Sequence, residues 1–512
     1  SVLTAKGNGS LTLNGGTLNV LSASEVVANL INNSGIVNAQ NDVRDDTITV
    51  AGNFRQEVDG TLRIGATSDT EHGSLNVRDT AFFAADTTID IDVAEGNTLT
   101  ASSSLLNVIT AGTLEATTFT ITDNSALLDF QAVIDGNTVD LTQGSAQTIV
   151  EATGLGATPA ALGAAAVFDS SPAGLATVVD ELNLLATEQQ VANAVESTLP
   201  GASGGVSQMT NIATNAVTGI VSARQDLTRG LSSGDGFMTG RHIWFKPFGG
   251  WTEQDTRQGV SGYDIDSYGL ALGFDGDVSS SWNVGVALAY INSDVESNLA
   301  AGSHTIDMDS YLAKVYATKM FDDVTALNLQ VGAGISDYDS TRRIFTGDVA
   351  NADYDSWNMQ LSAELERSYQ VSDKTVITPY VHADYSYVNV EDYSETGADA
   401  LNLNVANDSA DSLIIGAGVK GNHAVSDSLL LMANAGVGYD VMTDRSSLTS
   451  SFAGGGANFT TEGIEPDELV YNAGIGAKYS LENGTEITAS YNIDARQDYT
   501  DQSVSANFRL LF

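Results

Sequence analysis

From His242 to the end, apolar residues alternate with small or polar ones, a pattern that predicts a series of two-faced β-strands. WNVGVALAY (282–290) puts Trp282, Val284, Val286, Leu288 and Tyr290 on one face, and YGLALGF (268–274) does the same with Tyr268, Leu270, Leu272 and Phe274. LNLQVGAGI (327–335), YVHADYSYV (380–388), SLIIGAGVKG (412–421) and LVYNAGIGAKYS (469–480) read alike. The terminal SVSANFRLLF places Val504, Ala506, Phe508, Leu510 and Phe512 on one face and Ser503, Ser505, Asn507 and Arg509 on the other. In a soluble sheet the apolar face would meet a protein core; in a membrane barrel it would meet lipid while the polar face met a wet lumen. Several runs begin or end in Tyr or Trp, as the aromatic girdles of a transmembrane barrel require.

The connections favour the barrel. Tight joints such as FDGDVSSSWN (274–283), MFDDVT (320–325), QVSDKT (370–375), AVSDSL (424–429) and LENGTE (481–486) alternate with longer polar stretches at 292–304 and 443–468. Short turns on one side and long loops on the other mark outer-membrane barrels, and the runs count to about twelve strands, an even number as such barrels prefer. Residues 241–512 are expected to form an antiparallel transmembrane barrel in which the terminal strand closes against the first.

The other two segments differ. Residues 1–150 carry short β-prone runs between Gly, Asn and Asp turns, among them TITVAGNF (47–54), TIDIDV (88–93) and TFTITD (118–123). Strands in series with loose spacing suit a parallel β-helix, a solenoid whose rungs bury an inward stripe on their neighbours; a β-sandwich is the alternative, because period-two runs do not fix topology. Residues 151–240 turn Ala-rich and helical. Leu175, Val178, Val179, Leu182, Leu185, Val191, Ala194, Val195 and Leu199 recur at helical spacing until Pro200 and Gly201. A second helix-prone run, 206–230, has small residues on most faces, its bulk confined to Met209, Ile212, Val217, Ile220, Val221 and Leu227. Such a slender helix fits a narrow wet pore, and roughly 25 residues at ~1.5 Å each span a hydrophobic band of ~25 Å. A plain helical linker is the other reading.

Composition narrows the function classes. The 21 Lys and Arg against 65 Asp and Glu give a net charge of −44, so the chain lacks the basic face that nucleic acid requires. The excess charge is expected to coat a solvated surface, with salt adaptation or divalent cations bridging carboxylates as lesser alternatives. Cysteine is absent, which excludes thiolate metal sites, disulfides and cysteine nucleophiles. The mean hydropathy of −0.03 comes without any apolar run long enough for a spanning helix. Ser1 opens the sequence without Met or a signal segment, and a processed or truncated chain is expected.

Catalytic patterns are weak. GASGG (201–205) fits Gly-x-Ser-x-Gly around Ser203, but Pro200 precedes it where a strand should, and a flexible linker is expected. The five histidines have no metal-ligand spacing. His304, Asp307 and Asp309 would form an acid–base group only if brought together at a barrel mouth; a solvated loop is expected. IDIDVAEGN (89–97) has the wrong offsets for a calcium loop, so its carboxylates should face water. No catalytic, cofactor or metal residue is assigned.

The order of strand-rich stub, helical linker and C-terminal barrel ending in Phe512 resembles the C-terminal part of a classical autotransporter, the monomeric type V secretion system. HIWFKPFGGWTEQD (242–255) resembles the first barrel strand of that family, YGLALGFDGDV (268–278) the second, and AELERSYQV (363–371) its mid-barrel Glu motif. QEVDGTLRIGATSDTEHGSLNVRDTAFF (56–83) resembles the last β-helix rungs of a passenger. The resemblance implies a bacterial outer-membrane protein in contact with lipid and lipopolysaccharide. It implies periplasmic chaperones and a barrel assembly machinery that recognises Phe508, Leu510 and Phe512, and a pore-spanning helix over about 203–232, retained in the lumen and carrying Met209, Asn211, Asn215, Ile220, Arg224 and Asp226. Asn211 and Asn215 are separated, so the family's cleavage at an Asn pair is not expected. The alternatives are an adhesin whose solenoid binds a surface partner, and the remnant of a protease or esterase whose catalytic part lies upstream of residue 1.

Overall fold

In the computed structural model the described residues are 3–4, 9–19, 25–39, 46–94, 97–99, 103–144, 147–201, 205–228, 241–443, 445–481 and 486–509. They divide into two compact units, one of residues 1–158 and 165–195 and one of 159–164 and 196–512.

In the first unit the strands up to residue 115 pair in parallel, in two sheets. One column runs Leu18 opposite Val37, Val37 opposite Leu62, Leu62 opposite Ile89 and Ile89 opposite Ile121. Alternate residues such as Val37, Leu62, Ile64, Ile89 and Ile91 fill a single core, which is why the short runs alternate at period two. A polar ladder crosses that core: Asn32 Nδ2 donates to Gln56 Oε1 (3.3 Å) and Gln56 Nε2 to Thr87 Oγ1 (2.9 Å). The parallel order ends at an antiparallel hairpin, Phe130–Asp135 with Thr138–Gln143. Helix Ile149–Leu155 begins at a capping box made by Thr148 and Glu151. The expected long helix over 174–199 is two helices, Ala176–Leu182 and Glu188–Glu196. The second starts where Thr187 Oγ1 accepts from the Gln190 amide and Gln190 Oε1 from the Ala186 amide, a local cap that overrides the apolar spacing.

The second unit contains a closed antiparallel barrel. Its strands are β1 (Arg241–Gln254), β2 (Tyr263–Ser279), β3 (Trp282–Ser297), β4 (Ser303–Met320), β5 (Thr325–Arg343), β6 (Val349–Arg367, resuming as Tyr369–Ser372), β7 (Thr375–Val390), β8 (Asp408–Ala424), β9 (Leu429–Asp440), β10 (Leu469–Ser480), β11 (Glu486–Arg496) and β12 (Tyr499–Arg509). With β6 counted once across its break at Ser368, twelve strands form the ring. β12 pairs with β1 through Gly249 opposite Val504 and Phe245 opposite Phe508, so the terminal strand closes the barrel as expected. Leu510 and Phe512 lie outside the described residues.

The alternation resolves into inside and outside. Tyr268, Leu270, Leu272, Phe274, Val286, Leu288, Val315, Val331 and Ile475 are exposed on the outer wall. Exposed aromatics gather at two levels, Trp251, Tyr268, Tyr290, Tyr311, Trp357 and Tyr471 towards the loops and Trp282, Phe321, Tyr369 and Tyr479 towards the turns. On β3 the two levels are Tyr290 and Trp282, about 27 Å apart along the strand and about 20 Å in height at the usual tilt. Among the described residues no single helix is long and apolar enough to cross a membrane; the outer face of the strands supplies the apolar band.

Candidate functional site

The lumen holds helix Gly205–Thr228, 24 residues and so about 36 Å long. Its small residues let it lie close to the wall, and it rests mainly on strands β2 to β7. Near the loop end the Thr210 hydroxyl bonds the Tyr338 hydroxyl, which also contacts Ser356 Oγ (2.9 Å). Midway, Lys314 donates to Thr218 Oγ1 and to Gln360 Oε1, while Gln330 Nε2 donates to Ser222 Oγ (2.8 Å). Near the turn end, Gln225 Nε2 donates to Ala317 O (3.0 Å) and Thr318 Oγ1 (3.1 Å). The helix therefore runs from the loop mouth to the turn end, the direction required for a chain that enters β1 at the turn end.

Two charged groups fix it there. Arg224 donates through Nε and Nη2 to the two oxygens of Asp275 on β2, at 2.7 and 2.8 Å, with side chains 3% and 0% exposed. Asp275 also accepts from the Tyr316 hydroxyl (2.9 Å), which accepts from Trp244 Nε1 (2.8 Å). The Trp244 ring fits against Gly273, where a Cβ would sit 2.2 Å from the indole, so this bulky inward aromatic requires glycine on the next strand. Asp226 accepts from Lys420 Nζ (3.0 Å), which also donates to Glu364 (2.7 Å) and Glu366 (3.3 Å). Those three carboxylates are close enough to surround one cation, and the Lys420 ammonium already sits among them.

Of the helix residues singled out from sequence, Met209 and Ile220 are buried against the wall, Arg224 and Asp226 make the ion pairs, and Asn215 Oδ1 accepts from Gln360 Nε2 (3.3 Å). Asn211 lines a polar cleft along the free side of the helix with Asn215, Tyr385, Asp411, Asp440 and Arg496. Ser203 lies outside the described residues. The region of His304, Asp307 and Asp309 is not a loop but strand β4, whose pleat turns His304 inward, beside Ser197 O (3.3 Å), and Asp307 outward. The alternation that makes the barrel thus separates that acid–base group. In 89–97, Asp90 does not simply face water: it accepts from Arg63 (2.7 Å) and Thr122 (2.8 Å).

The partners Asp275, Lys420 and Gln360 were missed from sequence, and Glu364 was noted only as part of the Glu motif at 363–371. Their signal is present, as lone charged or amide groups on the small-residue face of strands otherwise filled by Gly, Ala and Ser. The outer wall shows where part of the negative charge sits: above the loop-side aromatics, Asp266, Asp294, Asp307, Asp339 and Asp353 stand opposite one another on β2 to β6.

Residues 243–492 match the family model of the autotransporter β-domain. That stretch belongs to the autotransporter β-domain family. The β-domain match covers the barrel from β1 into β11. Esterase EstA of Pseudomonas aeruginosa is 27% identical over 267 residues, 50% of this chain and 41% of that protein. Outer membrane protein A of Rickettsia conorii is 26% identical over 300 residues, 55% of this chain and 14% of that protein. The chain thus spans less than half the length of these curated relatives. The translocator domain of NalP from Neisseria meningitidis superposes with a TM-score of 0.47 at 18% identity, over 59% of this chain and 98% of that one. The barrel is thus an outer-membrane β-barrel of the autotransporter type.

Proposed function

We propose that the barrel is the translocator of a type V secretion protein, through which the chain exports its own N-terminal passenger, and that the first unit is the last part of that passenger, folded as a β-helix and displayed at the cell surface. The carrying observation is the path of the chain: residues upstream of 205 leave the lumen at the loop end, while the helix stays tied to the wall at Asp275 and Lys420. Parallel strands stacked in columns such as Val37, Leu62 and Ile89 support the β-helix, because each added strand buries its inward residues on the one before. Folding outside then draws the chain outward without a nucleotide, since each rung buries apolar surface that resists sliding back.

The outer face meets lipid between the aromatic levels and lipopolysaccharide above them, and the β12 end is the signal read by the assembly machinery after periplasmic chaperones deliver the chain. EstA is an esterase, which makes an ester-cleaving passenger the leading enzymatic version and a surface adhesin the non-enzymatic one. The test is heat-modifiability on a gel with protease access in intact cells. A fast-migrating unboiled form, with residues 1 to about 150 digested and 242–512 protected, is expected. A water-soluble chain without the mobility shift would overturn the reading.

A further inference from the structure

The helix does not account for closure of the pore. It is slender, it rests on one side of the wall, and a polar cleft remains beside it, lined by Asn211, Asn215, Tyr385, Asp440 and Arg496. The outer mouth carries a second structure. The two longest connections, between β7 and β8 and between β9 and β10, contribute Tyr393–Ser394, Leu403–Val405, Ser447–Phe452 and Phe459–Glu462 to one four-stranded sheet. Ser446, Ile464, Pro466 and Asp467 of the same loops line the cleft at its outer end.

This lobe is held to the wall by the Asn351–Thr396 bridge and by Tyr393 stacked on Tyr354, and one further joint also takes in residues 196–199. Arg342, at the end of β5 and 2% exposed, donates through Nε and Nη2 to both oxygens of Glu395 (3.0 and 2.5 Å) and through Nη2 to Leu401 O (2.8 Å). Glu395 Oε2 also accepts from the Leu403 amide (2.8 Å), so the carboxylate is shared by lobe and wall. Arg342 Nη1 reaches Ser197 O (3.3 Å), the His304 ring approaches the same oxygen, and the Phe345 amide donates to Ser197 Oγ (3.1 Å). One residue upstream, Glu196 accepts from Ser261 Oγ (2.6 Å). Residues 196–199 are buried in this collar although they precede the lumen helix.

We propose that Arg342 and Glu395 form a latch that closes the outer mouth around Ser197, so that the pore is sealed by the collar as well as by the helix. A buried bidentate pair suits a latch because it is stable only when complete: with either partner removed the other is left charged and uncompensated, and the lobe loses its tie to Arg342 and Ser197. The collar also fixes where export stops, since its contacts with Ser197 exist only when residues 196–199 have reached the mouth. The inference rests on reading the barrel as a membrane pore.

The test is the conductance of the full chain in planar bilayers, wild type against Arg342→Met and Glu395→Gln, with heat-modifiability reporting a folded barrel. Loss of the latch should raise the time-averaged conductance about tenfold, the shift in a closed–open equilibrium expected when one buried charged hydrogen-bonded pair is lost. Folded variants that stay as closed as wild type would overturn the latch and leave the pore intact. Wild-type protein that never inserts would instead sink the pore itself. A second measurement avoids destabilised variants: with no native cysteine present, Ser197→Cys with Phe345→Cys can be cross-linked in the folded chain. Oxidation should suppress residual openings and reduction restore them; equal opening frequencies in both states would overturn the collar.

Discussion

Arg224 on the lumen helix and Asp275 on β2 hold each other through two hydrogen bonds of 2.7 and 2.8 Å, both side chains being almost wholly buried. Removing one partner leaves the other charge uncompensated, at a cost of about 3–5 kcal/mol. Arg224→Met should therefore lower the temperature at which the folded gel band is lost by far more than Asn215→Ala, which removes one 3.3 Å contact from Gln360. Equal shifts would show that the pair does not anchor the helix.

Closure of the ring depends on β12, whose backbone meets β1 from Tyr499 to Phe508. Removing residues 510–512 should reduce the amount of barrel in the outer membrane and leave synthesis unchanged. Quantitative blots of membrane fractions check this, and undiminished levels would remove the C-terminal residues from assembly.

Inside the first unit, Gln56 bonds Asn32, Thr87 and the Thr88 carbonyl at once. Gln56→Leu keeps the volume roughly but leaves buried polar groups unsatisfied, at about 1–3 kcal/mol each. Proteolysis of this unit in the full chain should accelerate, while the barrel keeps its unboiled mobility. A Thr87→Val change in the same ladder should act in the same direction.

Burial, opposed by the Ser125 amide and reinforced by Asp129 and Asp90, pushes the Asp123 carboxyl up to about 6. The folded form then binds its proton more tightly than the unfolded chain, so this group's contribution is fully present below about pH 4 and is lost as pH rises through about 6. Proteolytic resistance of the first unit should fall between those values, and Asp123→Asn should flatten that part of the profile. An identical profile in the variant would assign the pH dependence elsewhere.

Like charges directly opposite across strands repel by about 0.2–1 kcal/mol a pair. The row from Asp266 to Asp353 predicts that the folded band survives to higher temperature as salt rises, because screening weakens that repulsion. Asp307→Asn with Asp339→Asn should reduce the salt response.

The barrel was legible in the sequence because a strand's two faces differ by one residue step: WNVGVALAY and YGLALGF show the outer wall directly, and the spacing of turns and loops gives twelve strands. The lumen helix was legible for a related reason, its small residues and few bulky ones fitting a pore. The broken helix at 183–187 was not, since a cap made by Thr187 and Gln190 weighs more locally than continued apolar spacing. Nor was the fate of His304 and Asp307, three positions apart in sequence and on opposite sides of the wall.

Local pattern thus determined by itself which residues face lipid and which face the lumen, because that choice depends on parity along one strand. Which lumen groups meet depended on register and on the depth at which the helix sits. Asp275 and Arg224, or Arg342, Glu395 and Ser197, are brought together only by closure of the ring and by the path of the chain through it. Those are long-range quantities, carried by backbone pairing between strands distant in sequence, and no short stretch of residues encodes them.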